Sequence, residues 1–226
     1  MTIFRYLGDM THLISVLILF LKIYATKSCA GISLKTQELY VFVFLSRYLD
    51  IFFRHISVYN TTMKLVFIAT SVAIVLYMRR HPQIRRSYDR HLDTFRHNVL
   101  IAASLFLALL THEKFTLLEV LWAFSIYLEA VAIFPQLVIL QRSGNVDNLT
   151  GQYVFSLGAY RAFYIVNWVY RYFTETHFKH WIASISGLVQ TGLYADFFYY
   201  YFIRLNMLPR DLIIACRKYL NMGHFS

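Results

Sequence analysis

The chain has 226 residues, of which 58% are hydrophobic, 18% aromatic and only 15% charged. Soluble domains run nearer half apolar and a quarter charged, so a water-soluble α/β enzyme is excluded; 8 Gly and 3 Pro are too few for a β-sandwich, a barrel or a disordered chain. The formal charge of +10 would suggest nucleic acid in a soluble protein, but at a mean hydropathy of +0.48 it is read as the loop charge of an all-α polytopic membrane protein, with lipid and not nucleic acid around it.

Seven apolar runs approach the 17–25 residues needed to cross a bilayer: Ile3–Leu21, Thr36–Ser57, Thr61–Met78, His97–Leu110, Thr116–Leu140, Leu149–Tyr172 and Phe178–Ile203. The fourth is the shortest. The connections are short, so residues 1–203 form one transmembrane domain and 204–226 a tail. The first run has Arg5 and Asp9 within it and no small-residue cleavage site behind it, so it is expected to stay as a helix. Cys29 and Cys216 lie far apart, give neither a disulfide framework nor metal-ligand spacing, and read as reduced thiols.

Loop charge sets orientation. Fourteen Lys and Arg, including Lys22, Lys27, Lys35, the six arginines from Arg79 to Arg96, Arg142 and four beyond residue 203, fall on one side. Six fall on the other: Arg5, Arg54, Lys64, Lys114, Arg171 and Lys179. The bias puts the C-terminus in the cytosol and the N-terminus on the opposite side. The sequon at Asn60 hugs the membrane and that at Asn148 is cytosolic, so neither is expected to carry sugar.

A weak repeat is also present. Gly31-Ile32-Ser33-Leu34-Lys35-Thr36-Gln37 leads into span two with Arg47 ten residues on, and Asp147-Asn148-Leu149-Thr150-Gly151-Gln152 leads into span six with Arg161 nine residues on. Spans one to three and five to seven then form two parallel three-helix repeats joined by span four as a linker helix, with a site at their interface.

Ionisable groups inside the spans cost about 2.5–3.5 kcal/mol each at the bilayer centre and call for a partner or a function. Arg5, Asp9 and His12 share one face of span one; span two carries Arg47, Tyr48 and Asp50; span five has Glu119, Trp122 and Glu129. Span six presents Tyr160, Tyr164, Asn167 and Arg171 as one stripe beside Arg161, and span seven has Asp196. By depth, Arg5, His12, Arg47, Asp50, Glu119 and Arg171 are expected to line one cavity open to the non-cytosolic side. Glu129, Arg161 and Asp196 form a separate cluster below its floor, either a register-fixing bridge or something more. Asp9 either pairs locally with Arg5 or caps.

In the cavity, Arg5, Arg47 and Arg171 outnumber the acids within reach. A guanidinium fork matches a carboxylate in two places, which points to a short ligand with several acidic groups. Asp50 and Glu119, with the face of Trp122, would take a basic end. His12 alone of nine histidines lies well inside an apolar span; it either takes up a proton when an anionic ligand arrives, or stays neutral and bonds a neighbour such as Tyr160. His112-Glu113-Lys114-Phe115-Thr116 lacks the second histidine of a zincin, and no nucleophile elbow, phosphate loop or dinucleotide fingerprint occurs. No enzyme, metal or cofactor is expected.

Several strings resemble the ER lumen protein-retaining receptor (KDEL receptor) family. They are Ser28-Cys29-Ala30-Gly31-Ile32-Ser33, Arg47-Tyr48-Leu49-Asp50, Trp122-Ala123-Phe124-Ser125-Ile126-Tyr127-Leu128-Glu129, Pro135-Gln136-Leu137, Asn167-Trp168 and Gly187-Leu188-Val189-Gln190-Thr191. Arg142 to Tyr153 is most similar to plant members. The resemblance covers about residues 1–203 and implies a seven-helix fold of the PQ-loop/SWEET type, with Pro135-Gln136 as the signature pair. It implies a pH-dependent receptor in the ER and cis-Golgi membrane, N-terminus lumenal, that binds the C-terminal Lys/His-Asp-Glu-Leu (K/HDEL) tetrapeptide of escaped residents.

On that resemblance, Arg47 and Tyr48 hold the terminal carboxylate, and Arg5 and Arg171 pair with the ligand's acids. Asp50, Glu119 and Trp122 receive its Lys or His, with Tyr164 and Asn167 in the same lining. His12 with Tyr160 senses pH, and Glu129, Arg161 and Asp196 relay occupancy to the tail. Family members end in a short lysine-rich segment that recruits the retrograde coat (COPI); here Leu205 to Tyr219 is basic but apolar, which departs from that pattern. A PQ-loop-type transporter of a small solute is the alternative, and it accounts poorly for three clamping arginines.

Overall fold

The computed structural model describes residues 2–52, 57–111, 115–143, 147–174, 185 and 187–195. Among them every regular element is helical: α1 (Ile3–Thr26), α2 (Leu34–Arg47) continued by a 3-10 turn (Tyr48–Phe52), α3 (Val58–Arg80), α4 (Pro82–Arg86), α5 (His97–Thr111), α6 (Leu117–Val131), α7 (Phe134–Ser143) and α8 (Asn148–Thr174). Residues 187–191 are helical and close a first compact unit, 1–191; of the second, 192–226, the described residues 192–195 are helical. Span seven and Asp196 otherwise lie outside the described residues, as does the tail.

Helix starts are written locally. Ser33 caps α2 by accepting from the Thr36 amide at 3.1 Å, Ser57 caps α3 through the Asn60 amide at 3.2 Å, and Thr116 caps α6 through the Glu119 amide at 3.4 Å. The Thr116–Glu119 spacing is that of a capping box. Gly31, at a positive φ of 72°, turns the chain between α1 and α2 where a side chain would be strained.

Among the described residues, three segments are long and apolar enough to cross a bilayer: Ile3–Thr26, Val58–Arg80 and the joined run Leu117–Ser143, with His97–Thr111 as a shorter apolar helix. The surface is inside out for a protein in water. Leu7, Ile14, Leu17 and Leu21 of α1 and Leu105, Phe106, Leu109 and Leu110 of α5 are exposed, while Asp9, His12, Glu129 and Arg161 are buried. Lipid is the solvent such a surface fits.

Two spans differ from their expected form. Span two was expected as one helix over Thr36–Ser57; α2 ends at Arg47, about 20 Å long, and a tighter 3-10 turn takes over. Arg47 and Asp50 reach to different helices there, α6 and α3, at the point where the α-helix gives way. Span five, expected over Thr116–Leu140, breaks at Ala132–Ile133 into α6 and α7, because Pro135 has no amide to donate back to Val131.

The helices meet in a definite order. α1 lies along α8, α2 against α6 and α3, and α5 against α6. The α1–α8 approach is close enough that a Cβ on Gly8 would come 2.9 Å from the Tyr164 ring. At one end of the bundle, Gln136 at the start of α7 donates to the Gly31 carbonyl at 2.7 Å, accepts from the Ser33 amide at 2.9 Å, and gives its own amide to Thr36 Oγ1 at 3.0 Å. At the same end Lys22, late in α1, donates to Thr150 Oγ1 at 2.7 Å and the Ala30 carbonyl at 2.6 Å, beside Asp147 at 3.4 Å. Gln37 Nε2 donates to the Tyr153 hydroxyl at 2.8 Å between them.

Candidate functional site

The deepest charges form one cluster, not two. Arg47 Nη1 lies 2.7 Å from Glu129 Oε2, and Arg161 Nη2 lies 2.8 Å from the same oxygen. Tyr160 donates its hydroxyl to the other carboxylate oxygen at 2.8 Å. Arg47 Nε donates to Ser125 Oγ at 3.1 Å, and Ser125 donates in turn to the Trp122 carbonyl at 2.6 Å. The expectation that Glu129 and Arg161 sit apart from Arg47 is therefore corrected. Apposition of α2 and α6 brings Arg47 onto the acid, which depth along separate spans does not reveal.

Among the described residues, two guanidiniums share one carboxylate, which gives this buried cluster a formal charge of +1. Arg47 Nη2 and Arg161 Nε are buried and have no hydrogen-bond partner among the described residues. Arg161 is steadied by rings, its guanidinium 5.6 Å from the centre of Tyr160 and 5.8 Å from that of Trp168. Glu129 holds its two arginines through a single oxygen, a geometry open to a second anion on Arg47.

His12 packs beside this cluster. Its imidazole stacks on Tyr160 with centroids 4.4 Å apart and on Phe67 at 4.7 Å, with Phe44 at 5.5 Å. A cavity of about 10 Å³, room for one water, is lined in part by His12, Ser15, Gln37, Tyr40, Ser71 and Tyr153. The sequence left His12 and Tyr160 as possible hydrogen-bond partners; the contact is a ring stack, and the phenol proton goes to Glu129. From there a column of rings continues: Tyr160 meets Tyr164 edge-on at 6.1 Å, and Phe44 stacks on Tyr48 at 5.7 Å.

The remaining expected site residues fall into small groups. Asp9 accepts from Tyr59 at 3.2 Å and from the Tyr164 hydroxyl, so tyrosines hold it, not Arg5. Arg5 is exposed and donates to the neutral Asn60 side chain at 3.2 Å. Asn167 is buried and accepts from Thr2 Oγ1. Asp50 is bound by Lys64 at 2.6 Å, whose ammonium also lies 5.6 Å from the Tyr48 ring. Trp122 packs on Ile126 together with Trp168. Glu119 and Arg171 are half-buried, and Arg171 is already engaged with neighbours.

Sequence reasoning missed Lys64, Tyr59, Ser125 and Asn60. Lys64 was counted as an orientation charge, yet it is only 8% exposed. The signal for it was present: one cation inside the apolar run from Thr61 to Met78, four residues after Asn60. Ser125 could have been found three residues after Trp122, on the face that also carries Glu129 one turn on.

Among the described residues outside the spans, Cys29 and Tyr88 are shifted. Burial pushes the Cys29 thiol above its usual range, where it donates to the Ile84 carbonyl at 3.1 Å. Burial and the neighbouring Asp93 carboxylate push the Tyr88 phenol up as well. Among the described residues no group of three His, Cys, Asp or Glu side chains is placed to hold a metal ion.

Comparison with known proteins gives a consistent result. Residues 28–171 match the family described as ER lumen protein retaining receptor. The chain is 73% identical over 203 residues to ER lumen protein-retaining receptor A of Arabidopsis thaliana, covering 90% of this chain and 94% of that one. It is 70% identical over 202 residues to the ER lumen protein-retaining receptor of Petunia hybrida (89% and 94%), and 48% over 205 residues to that of Drosophila melanogaster (91% and 95%).

Proposed function

This chain belongs to the ER lumen protein-retaining receptor family, a family of receptors and not of enzymes, and we propose that it captures escaped ER residents by their C-terminal Lys/His-Asp-Glu-Leu tail and returns them from the Golgi. The observation that carries this reading is the buried cluster, +1 among the described residues: Arg47 shares Glu129 with Arg161, and its Nη2 has no hydrogen-bond partner among those residues. A free chain-terminal carboxylate supplies what that fork lacks. Arg47 with Tyr48 takes it; Arg5 and Arg171 meet the two acidic side chains; Tyr164 and Asn167 complete the lining.

The basic end of the tail goes to Asp50, Glu119 and the Trp122 face. Lys64 is then a resident cation that the ligand's Lys or His replaces on Asp50. A carboxylate arriving at Arg47 loosens its hold on Glu129, and Tyr160, bonded to Glu129 and stacked on His12, links that change to the imidazole. Proton uptake at His12 balances the added negative charge, so affinity rises as pH falls. Glu129, Arg161 and Asp196 pass occupancy on to the tail, where coat recruitment (COPI) takes place. Such coupling requires the tail peptide to bind two conformations differently.

The seven-helix architecture, two three-helix repeats about span four, is part of the same proposal. Contacts support it in pairs. If span one corresponds to span five and span two to span six, the α1–α8 contact maps onto the α2–α6 contact. Gln136 reaching the start of α2 likewise maps onto Lys22 reaching the start of α8. The loop-charge bias supports a lumenal N-terminus and cytosolic C-terminus in the ER and cis-Golgi membrane. Nothing in the relatives' names favours a transporter.

The test is binding of a fluorescent Lys-Asp-Glu-Leu peptide to the purified chain at pH 5.5 and 7.5. The expected result is affinity at least tenfold tighter at pH 5.5, with the ratio reduced to below threefold in His12→Ala. Equal affinity at both values removes the pH sensor, and no binding at either removes the receptor reading.

A further inference from the structure

The segment joining α3 to α5 carries a separation of charge that orientation in the membrane does not require. Arg80, Arg85, Arg86, Arg90 and Arg96 are all exposed, and among the described residues none of them has an ion-pair partner. Both acids of the segment are turned the other way. Asp89 accepts from the Gly31 amide at 3.4 Å. Asp93, only 3% exposed, accepts from the Ser33 hydroxyl at 2.9 Å, the Lys35 amide at 3.4 Å and the Tyr88 hydroxyl at 2.7 Å.

The segment is also pinned. Ile84 is fully buried, its carbonyl accepts from Cys29 Sγ, and Ser87 Oγ accepts from the Cys29 amide at 2.9 Å. Lys35 spends its ammonium on the carbonyls of Asp93 and Phe95 at 2.6 and 2.9 Å. Acids and apolar contacts thus hold the backbone against the α1–α2 turn, and five guanidiniums face outward from a fixed support. An excess of Lys and Arg suffices to orient a membrane protein; it does not need the acids folded inward.

We propose that this face is a docking surface for anionic phospholipid headgroups of the leaflet in which it lies. Position favours lipid over a protein partner. The segment runs only from the end of α3 at Arg80 to the start of α5 at His97, both ends of apolar helices, so it rests at headgroup depth. Arginine forks bind phosphate in two places, and a juxtamembrane group of four to eight basic residues is what anionic lipid attracts. Such docking would make residence in a membrane depend on its lipid charge. It does not rest on the tetrapeptide reading.

The experiment uses the full chain in neutral detergent, titrated with phosphatidylserine, phosphatidylinositol 4-phosphate and phosphatidylcholine, and counts retained lipids by native mass spectrometry. The expected result is at least fivefold more anionic than zwitterionic lipid retained. That preference falls to below twofold in Arg85→Gln/Arg86→Gln/Arg90→Gln and persists in the corresponding lysine variant. Circular dichroism melts confirm that both variants fold, since all three side chains are exposed. Equal retention of the three lipids by the parent chain, or an undiminished preference in the glutamine variant, overturns the proposal. Tetrapeptide binding unchanged in the glutamine variant separates this surface from the lumenal site.

Discussion

One end of the bundle and its interior handle buried polarity in opposite ways. At the junction of residues 22–37, 84–93, 136 and 147–153, buried side chains meet backbone amides, carbonyls and hydroxyls in pairs: Gln136 with Gly31, Ser33 and Thr36, Lys22 with Ala30 and Thr150, Gln37 with Tyr153. In the interior, charge meets charge and the counts do not match. Among the described residues, two arginines share Glu129 and leave Arg47 Nη2 over, and Asp50, already held by Lys64, keeps Oδ1 buried without a hydrogen-bond partner. Apart from Asp93 Oδ1, which is buried without a hydrogen-bond partner among the described residues, the first set is matched, and such pairing fixes helices. The second, unmatched among the described residues, is the one that the proposed ligand would complete.

Perturbing each region should therefore read out differently. Glu129→Gln leaves two buried guanidiniums facing an amide, and loss of the buried ion partner is expected to cost about 3–5 kcal/mol in a denaturation series. Gln136→Ala strands the Ser33 amide and the Gly31 carbonyl, for a loss of about 2–3 kcal/mol, with tetrapeptide affinity held within twofold. A large affinity change there would erase the contrast between the junction and the interior.

Lys64→Met removes the resident cation from Asp50. Binding of a tail with Lys at the fourth position should tighten by about threefold to tenfold, while a tail with Ala there gains less than twofold, by fluorescence anisotropy. The smallest effect concerns Cys29. With its thiol buried and shifted up, it should react with a maleimide at pH 7.5 at under a tenth of the rate of a free cysteine, which mass spectrometry of the labelled peptide measures.

The apolar runs made α1, α3, α5 and α8 legible to within a turn or so, because a bilayer demands length and hydropathy and both are written linearly. The break after Arg47 was not, since Tyr40 to Phe52 is mostly apolar and the shift to a 3-10 turn occurs where Arg47 and Asp50 find partners on other helices. The same holds for the site. Burial marked Arg47, Glu129 and Arg161 individually, but which acid neutralises which arginine depends on α2 lying against α6. Lys64 shows the converse: counting it by side of the membrane hid a side chain that points inward to Asp50.

The central claim is that Arg47 is underused by Glu129 and receives a free C-terminal carboxylate. The most direct measurement compares tetrapeptide tails ending in a free acid and in an amide, on the parent chain and on Arg47→Ala, which retains the Glu129–Arg161 pair. The account predicts that amidation weakens binding about a hundredfold in the parent chain and less than threefold in the variant, a coupling of about 2 kcal/mol or more. An equal loss in both proteins, or no loss in the parent, would contradict it.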